Sequence, residues 1–336
     1  MNVLVIGGAG YIGSHTIIEL VQAGYDPIIL DNFAASNKSV LKLLKNMTGK
    51  DIACIESNFA DRELLRRTIE DSDIKAVIHF AAHKAVGESV EQPLKYYDNN
   101  VAGFVALIDV LTDKDVPIVF SSSAAVYGSP PVEMISEETV CMPECPYGWS
   151  KLMCEVILRD TCAAKTPARG IALRYFNVVG AHPSGKLGEM PKQAPQNLLP
   201  ILVEAVAGLR DPLTVYGNDY DTPDGTCLRD YVHVVDLAKA HVSALDHVLK
   251  QRRGYYDVFN VGTGKPTSVM ELITTFERVN DIKVPYEMGA RRPGDPKASS
   301  AKTDKIERLL GWKSEKTIED ACRDVWRWQS NNPSSR

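Results

Sequence analysis

Residues 1–13 read MNVLVIGGAGYIG, and this stretch decides the fold. Residues 3–6 have the apolar, β-branched composition of a strand that is buried on both faces. Gly7, Gly10 and Gly13 follow at intervals of three, and an amphipathic helical pattern begins among them. A strand, a glycine turn and a helix in this order are typical of a site where a pyrophosphate meets the N–H groups at the start of a helix.

An acidic residue follows this turn at the distance expected for a dinucleotide site. Asp31 closes the second predicted strand, 18 residues after Gly13. Its carboxylate can accept from both hydroxyls of an adenosine ribose and would repel a 2′-phosphate. Residues 32–39 contain no arginine. The sequence therefore predicts NAD rather than NADP, the alternative being a structural glycine turn with an incidental Asp.

Short apolar stretches alternate with amphipathic ones through the first half of the chain. The predicted strands are residues 3–6, 27–30, 52–55, 76–80, 118–120 and 171–175, and the predicted helices are residues 12–23, 61–70, 93–111 and 147–161. This alternation predicts βαβ units and hence an α/β fold with a Rossmann-type, doubly wound parallel sheet. The six strands up to residue 175 would complete that sheet.

The second half of the chain has a different sequence pattern, with longer loops between its predicted strands and helices. Loops are predicted at the Pro- and Gly-rich residues 180–200 and 217–225, a strand at 213–216, and helices at 198–207 and 235–249. We expect an NAD-binding domain over residues 1–175, with a return segment around 230–261. A smaller α/β carboxyl-terminal domain for the substrate would comprise residues 176–229 and 262–336.

Composition excludes several classes of function. The 336 residues are 44% hydrophobic and 24% charged, and the net charge of −5 gives no electrostatic footprint for nucleic acid. No apolar stretch approaches the ~20 residues that span a bilayer, and the first residues do not resemble a signal peptide. The seven cysteines are irregularly spaced, which predicts no metal site and favours reduced thiols in a cytoplasmic protein.

Two motifs carry the chemistry. Residues 146–151 read PYGWSK, which puts Tyr147 and Lys151 on one face of a helix. A nearby ammonium favours the phenolate, so Tyr147 is a candidate acid or base whose pKa we expect Lys151 to lower. Ser123 ends the stretch VPIVFSSS, at the carboxyl end of a predicted strand where such sheets bind ligands. Taken singly, each motif could equally be an ordinary helix face or a serine turn.

Together these residues resemble the extended short-chain dehydrogenase/reductase superfamily, and the similarity to the UDP-glucose (UDP-galactose) 4-epimerase family extends over essentially the whole chain. The segments that carry it are DN (31–32), HFA (79–81), KAVGESV (84–90), YDNNV (97–101), residues 120–128, LRYFN (173–177), GAHPSG (180–185), NL (197–198), GNDY (217–220), RDY (229–231) and RRPGD (291–295).

The resemblance implies interconversion of UDP-galactose and UDP-glucose with a tightly bound NAD. Tyr147 would exchange a proton with the sugar 4-hydroxyl, Lys151 would hold the nicotinamide ribose, and Ser123 would bridge the sugar oxygen and Tyr147. The 4-keto sugar would rotate in the site and then be reduced on its other face. The resemblance also implies a homodimer, formed through residues 93–111 and 147–161.

The site residues follow by similarity. The cofactor would contact Gly7, Gly10, Tyr11, Ile12, Gly13, Asp31, Asn32, Ser36, Asn58, Phe59, Phe80, Ala81, Ala82, Lys84, Asn99, Ser123, Tyr147, Lys151 and Phe176. The UDP-hexose would contact Lys84, Ser123, Tyr147, Asn177, Asn197, Leu198, Thr214, Val215, Tyr216, Arg229, Arg292, Asp295 and Ser299.

Two departures from the family pattern bear on binding. Asn58 stands where the family usually has an Asp that contacts the adenine; its amide oxygen can still accept a hydrogen bond there. Ser299 stands where the family has either a bulky Tyr or a small residue beside the sugar 2-position. A small residue implies that UDP-GalNAc and UDP-GlcNAc are also accepted, unless Ser299 is simply exposed on a loop that differs.

Other functions remain open at this point. A 4,6-dehydratase or decarboxylase on the same fold would need an acid after Ser123, where this chain has Ala124 and Ala125. A 4-epimerase for another nucleotide sugar, such as a UDP-uronate, is harder to separate. A dehydrogenase that releases NADH and a silent NAD-binding regulator are two further alternatives. A silent regulator would commonly lack Tyr147 or Lys151.

Overall fold

The structure is a computed structural model and describes residues 1–164, 166–190, 192, 195–292 and 294–332. Its strands are β1 Asn2–Ile6, β2 Asp26–Asp31, β3 Cys54–Glu56, β4 Ala76–His79, β5 Ile118–Ser121, β6 Met134–Ile135, β7 Gly170–Tyr175, β8 Asn177–Val179, β9 Leu213–Tyr216, β10 Leu228–His233, β11 Tyr256–Val261, β12 Pro266–Ser268, β13 Tyr286–Gly289 and β14 Ala298–Ala301.

Its helices are α1 Tyr11–Gln22, α2 Ser39–Thr48, α3 Arg62–Asp71, α4 Val86–Glu91, α5 Pro93–Tyr96, α6 Gly103–Asp113, α7 Pro146–Ala163, α8 Leu198–Val206, α9 Val234–Leu249, α10 Val269–Asn280, α11 Asp304–Leu310 and α12 Ile318–Asn331. A π-helical turn covers Tyr97–Ala102, and a 3₁₀ turn covers Ala124–Tyr127.

The main sheet is parallel and has seven strands in the order β11-β7-β5-β4-β1-β2-β3. This confirms the predicted α/β class and the doubly wound topology. The prediction that six strands complete the sheet is wrong, because β11 adds a seventh beside β7, long after residue 175. β11 lies at the end of the return segment predicted around residues 230–261, but its pairing with β7 is a contact between distant parts of the chain, which a local pattern does not give.

The apolar residues of β1 supply both faces of this sheet. Val3 and Val5 belong to a core formed with α1, α2 and α9, whereas Leu4 and Ile6 belong to a second core with α3, α6 and α7. Successive side chains of a strand point to opposite faces, so an uninterrupted apolar strand requires helices on both sides. The first strand therefore anchors both layers of helices.

The predicted helices lie within a few residues of observed ones, but one of them is divided, and α2, α4, α10, α11 and α12 were not predicted. The helix α2 was not predicted although it has a clear apolar stripe: Val40 and Leu44 are buried, and Leu41, Leu43 and Met47 pack against the first core. The helix predicted over 93–111 is divided by the π-helical turn into α5 and α6. An extra residue in one turn shifts the 3.6-residue pattern, and such turns occur often at functional sites.

The remaining strands form a five-stranded sheet of β12, β10, β14, β6 and β8 and a β9–β13 pair, packed with α8, α10 and α12 around a third core. Residues 180–190 and 217–225 form turns and irregular segments, as predicted, although Pro191, Gln193 and Ala194 of the first lie outside the described residues, as do Pro293 and the final residues 333–336. The division into two domains stays a prediction.

Within the described residues, no helix is both long and apolar enough to cross a membrane.

Candidate active site

The glycine turn is fixed by backbone contacts that leave no room for side chains. Gly7 has a φ of +77°, and a Cβ there would lie 2.7 Å from the backbone nitrogen of Ala81. A Cβ on Gly13 would lie 2.3 Å from the carbonyl oxygen of Gly7. Gly10 precedes α1, and no described side chain caps this helix. Its first N–H groups, including those of Tyr11 and Ile12, are therefore oriented to bind an anion.

Asp31 joins this turn to the loop after β2. Its buried carboxylate accepts hydrogen bonds from the N–H of Ala9 at 3.0 Å, the N–H of Phe33 at 2.8 Å and the hydroxyl of Ser36 at 2.9 Å. Asn32 closes the same loop by accepting from the N–H of Ala34. The structure thus brings three predicted cofactor residues together at the carboxyl end of β2.

Asn58 and Phe59 follow β3 along the same edge of the sheet. The amide oxygen of Asn58 accepts a hydrogen bond from the N–H of Ala60 at 2.9 Å, which uses one of its two acceptor positions. The ring of Phe59 is buried against His79, with 4.8 Å between ring centroids, and against the backbone of Gly103. Its side chain belongs to the core, so only its backbone can face a ligand.

The segment after β4 lies beside the glycine turn. The N–H groups of Phe80 and Ala81 both donate to the carbonyl oxygen of Ile6, at 2.8 and 3.2 Å. Further along, the ammonium of Lys84 pairs with the Glu189 carboxylate at 3.1 Å. Asn99, in the π-helical turn, donates to the side chain of Asn100. Ala82 continues this segment and is partly buried.

Tyr147 and Lys151 lie on the first two turns of α7, next to the carboxyl end of β5. Tyr147 is 7% exposed, and burial raises the pKa of its phenol to about 12. The nearby Cys145 raises this pKa further, whereas a hydrogen bond with Ser123 lowers it. The Lys151 ammonium donates to the carbonyl oxygen of Ser121 at 2.7 Å. Burial lowers the pKa of Lys151 to about 8, while Cys154 and Glu155 oppose that change.

Lys151 is not among the groups that set the pKa of Tyr147 here, so the expectation that it lowers that pKa stays a prediction. Burial dominates, and it moves the pKa of the phenol upward. The Lys151 ammonium is held by a backbone carbonyl instead and lies 4.9 Å from the centre of the Phe120 ring. Spacing along the helix correctly puts both side chains on one face, but burial depends on the rest of the fold.

On the carboxyl-terminal side, one ionic cluster unites four predicted substrate residues. The Asp295 carboxylate pairs with Arg292 at 2.8 Å and with Arg229 at 3.3 Å. The Arg292 guanidinium lies 4.9 Å from the centre of the Tyr216 ring. Two guanidiniums beside an aromatic ring suit a diphosphate attached to a flat base.

Ser299 lies on β14, directly across from Arg229 in the parallel pairing of β14 with β10. It is partly buried, so it is not an exposed loop residue. The register is fixed one residue further along β10, where the buried carboxylate of Asp230 accepts from the N–H of Ala301.

The other predicted substrate residues are less closely associated. Asn177 begins β8 with an exposed side chain, Asn197 and Leu198 lie at the start of α8, and Thr214 is partly buried on β9. The side chains of Val215 and Phe176 are buried in separate apolar clusters. These two residues can therefore meet a ligand only through their backbone.

Sequence reasoning missed a buried polar group next to the site. Glu155, four residues after Lys151, binds Arg174 and the hydroxyl of Ser122. The continued four-residue spacing on α7 was the available indication, since a third polar residue on a buried helix face needs a partner. Within the described residues, no group of His, Cys, Asp or Glu side chains could hold a metal ion.

Comparisons with known proteins agree with this architecture. A family model described as GDP-mannose 4,6 dehydratase matches residues 4–325. The UDP-glucose 4-epimerase of Bacillus subtilis is 47% identical over 333 residues, which cover 99% of this chain and 98% of that protein.

Solved structures also match over nearly the whole chain. UDP-glucose 4-epimerase from Bifidobacterium longum, in complex with NAD+ and UDP, has a TM-score of 0.94 and 46% identity, with 100% of both chains covered. The UDP-Glc/GlcNAc 4-epimerase from Campylobacter jejuni has a TM-score of 0.85 and 36% identity, with 98% of this chain and 99% of that chain covered. The chain belongs to the UDP-glucose 4-epimerase family, within the extended short-chain dehydrogenases/reductases.

Proposed function

We propose that this protein interconverts UDP-galactose and UDP-glucose through a transient 4-keto sugar, with NAD retained from one turnover to the next. The observation that carries the proposal is the placement of Ser123, Tyr147 and Lys151 at the carboxyl end of β5, on the same sheet edge as the glycine turn and Asp31. Full-length relatives at this identity that are named UDP-glucose 4-epimerases support it.

The residues at the glycine turn fit a dinucleotide. Gly10 leaves its outer side open, since a Cβ there would approach only the Gly7 carbonyl, at 3.3 Å. The uncapped start of α1 would receive the pyrophosphate, Asp31 the adenosine ribose, and Lys151 the nicotinamide ribose. Bound NAD would supply the oxidation of the sugar C4 carbon and its reversal.

Within this scheme the chain's own residues handle the proton. Tyr147 would take the proton from the sugar 4-hydroxyl and return it after the sugar has turned, with Ser123 as the bridge between the two oxygens. A phenol whose pKa is near 12 is a poor base at neutral pH. The Lys151 ammonium and the positive nicotinamide would therefore have to lower that pKa in the loaded enzyme.

The ionic cluster on the carboxyl-terminal side would hold the UDP moiety. Arg229 and Arg292 would neutralise the diphosphate, and the half-exposed Tyr216 ring would lie against the uracil. Asp295 keeps the two guanidiniums close together. Anchoring the nucleotide at one end leaves the sugar free to turn at the other.

N-acetylated sugars form a second proposed substrate class, which rests on Ser299. A small side chain across from Arg229 would leave room at the sugar 2-position, if the sugar lies there as the family resemblance implies. The match to a UDP-Glc/GlcNAc 4-epimerase supports this extension. We expect Ser299→Tyr to lose turnover of UDP-GalNAc while keeping that of UDP-galactose, which serves as the internal control. Equal turnover of UDP-GalNAc before and after the change would remove Ser299 from this role.

The proposed partner is a second copy of the chain. Val90, Leu94 and Val105 on α4–α6 and Trp149 and Met153 on α7 are large apolar side chains exposed to solvent. Two such faces packed together would form a four-helix interface that covers them. All seven cysteines are free thiols, which supports a cytoplasmic location.

An assay without added NAD tests the main proposal. Purified protein should convert UDP-galactose to UDP-glucose, and Tyr147→Phe should lower kcat by about 10²–10⁴-fold, because it removes proton transfer without removing the ring. Net NADH release would point to a dehydrogenase instead. Loss of water from the sugar would point to a dehydratase, although Ala124 and Ala125 offer no acid for that step. The absence of any turnover would favour a silent NAD-binding regulator.

A further inference from the structure

Three successive turns of α7 meet three consecutive serines at the end of β5. Tyr147, Lys151 and Glu155 are four residues apart and so share one face of the helix. Each uses a different atom of residues 121–123. The pairs are Tyr147 with the Ser123 side chain, Lys151 with the Ser121 carbonyl oxygen, and Glu155 with the Ser122 hydroxyl.

Glu155 is the most buried of the three and is held in place by a cation. The residue is 2% exposed. The Arg174 guanidinium, from β7, donates to both carboxylate oxygens at distances between 2.5 and 3.1 Å. Arg174 in turn donates to the hydroxyl of Tyr127 at 2.9 Å. The carboxylate therefore has a fixed position between the helix and the sheet.

Stability alone does not account for this arrangement. A buried ion pair can often be replaced by apolar residues with little or no loss of stability. Here the carboxylate also accepts the hydroxyl of Ser122, whose N–H donates to the Leu173 carbonyl oxygen at 2.9 Å. The end of β5 is thus fixed both to β7 and to α7, one residue before Ser123.

We infer that Glu155 is a positioning residue for the acid–base group of the proposed reaction: by fixing Ser122 it sets the position of Ser123 against Tyr147 and of the Ser121 carbonyl beneath Lys151. This inference rests on the function proposed above. It adds a third residue to the Tyr147–Lys151 face of α7, at the next turn of the helix.

The charged and titratable groups around Lys151 and Glu155 agree with a positioning role for Glu155. On α7, both Cys154 and Glu155 favour the charged form of Lys151. From β4, the buried His79 faces the same ammonium, which helps keep that imidazole neutral. Arg174 neutralises Glu155, so the carboxylate acts on the acid–base group chiefly through geometry.

A double-mutant cycle of Ser122→Ala and Glu155→Gln tests the inference. Losing one hydrogen bond to a charged group corresponds to about a tenfold loss, so each single variant should lower kcat about tenfold with little change in KM. Because the inference routes the effect of Glu155 through the Ser122 hydroxyl, removing that hydroxyl leaves Glu155→Gln nothing further to disturb, so the double variant should be no slower than Glu155→Gln alone. Ser89→Ala is the matched control, since Ser89 is buried and its hydroxyl donates within its own helix.

A second readout follows the phenol directly. Loss of the Ser123 contact should raise the pKa of Tyr147 and move the acidic limb of kcat to higher pH. In the NAD-loaded protein, ultraviolet titration against the matching Tyr147→Phe variant should give the same upward shift. Ser122→Ala keeps the ion pair, so it remains informative if Glu155→Gln does not fold.

The outcomes separate the two claims. Wild-type turnover with unchanged kcat and unchanged titration in Ser122→Ala would overturn the positioning role and leave the proposed function intact. Additive losses in the cycle would also overturn it, since they would mean that Glu155 acts independently of Ser122. No wild-type turnover would overturn the proposed function, while the titration would still test the geometry.

Discussion

Replacing Asp230 by Asn should destabilise the protein, because both oxygens of this buried carboxylate accept hydrogen bonds. Asp230 is fully buried, and its Oδ1 accepts from the N–H and the hydroxyl of Thr263, both at 2.7 Å. Its Oδ2 accepts from the N–H groups of Gly264 and Ala301 at 3.0 Å and from the hydroxyl of Ser300 at 3.3 Å.

The size of the expected loss in unfolding free energy follows from the hydrogen bonds that Asp230 accepts. An asparagine keeps one acceptor oxygen, so its amide NH₂ must face backbone N–H groups on the other side. The hydroxyls can turn to accept, but the N–H groups cannot. Losing one or two hydrogen bonds to a charged group predicts a fall of about 3–5 kcal/mol in the free energy of unfolding. For a chain of this length that corresponds to a Tm about 4–7 °C lower.

Thermal and urea unfolding followed by circular dichroism measure this loss, with the exposed Asp211 changed to Asn as the matched control. Asp230 also fixes β14 beside Arg229. Under the proposed function, the KM for UDP-galactose should therefore rise more than kcat falls. A loss of less than about 1 kcal/mol would refute the reasoning, because it would mean that the backbone groups find other partners at little cost.

Three further predictions follow from single contacts. Gly7→Ala should cost more stability than Gly24→Ala: both glycines have positive φ, but only at Gly7 would the Cβ meet backbone, so the difference in Tm isolates the clash. Burial lowers the pKa of His79 to about 3, so its contribution to stability is complete above its unfolded pKa of about 6.5 and is lost as pH falls towards 3. His79→Phe should therefore flatten the acid loss of unfolding free energy by one proton; an unchanged slope would contradict this. Glu189→Gln should free Lys84 and speed loss of NAD on dialysis by a few-fold at most, since the Lys84 side chain is 65% exposed, and retention equal to wild type would argue against a role for the pair.

Features that are encoded within a few residues could be predicted from the sequence. The strand, glycine turn and helix of the first 22 residues depend on local composition, and Gly7 and Gly13 are required by contacts that the spacing itself implies. The same holds for the shared helix face of Tyr147 and Lys151. Strand Leu213–Tyr216 was predicted with its observed bounds, because an apolar stretch between two turn-rich segments has few alternatives.

Features that depend on tertiary contacts could not be predicted. Glu155 meets Arg174 across 19 residues, and Lys84 meets Glu189 across 105. The upward shift in the pKa of Tyr147 arises from burial, which no spacing rule contains. The roles assigned to the individual site residues stay predictions until the variants described above are measured.

The seventh strand of the sheet has a consequence for how the chain folds during synthesis. β11 pairs with β7 along its whole length, from Gly170 to Tyr175. A nascent chain grows from its amino terminus, so β7 must remain an open edge until residue 261 has left the ribosome. An open edge of a sheet is a template for pairing with another chain. The interval between the two strands is therefore the time when this protein is most exposed to aggregation, before any of its chemistry can begin.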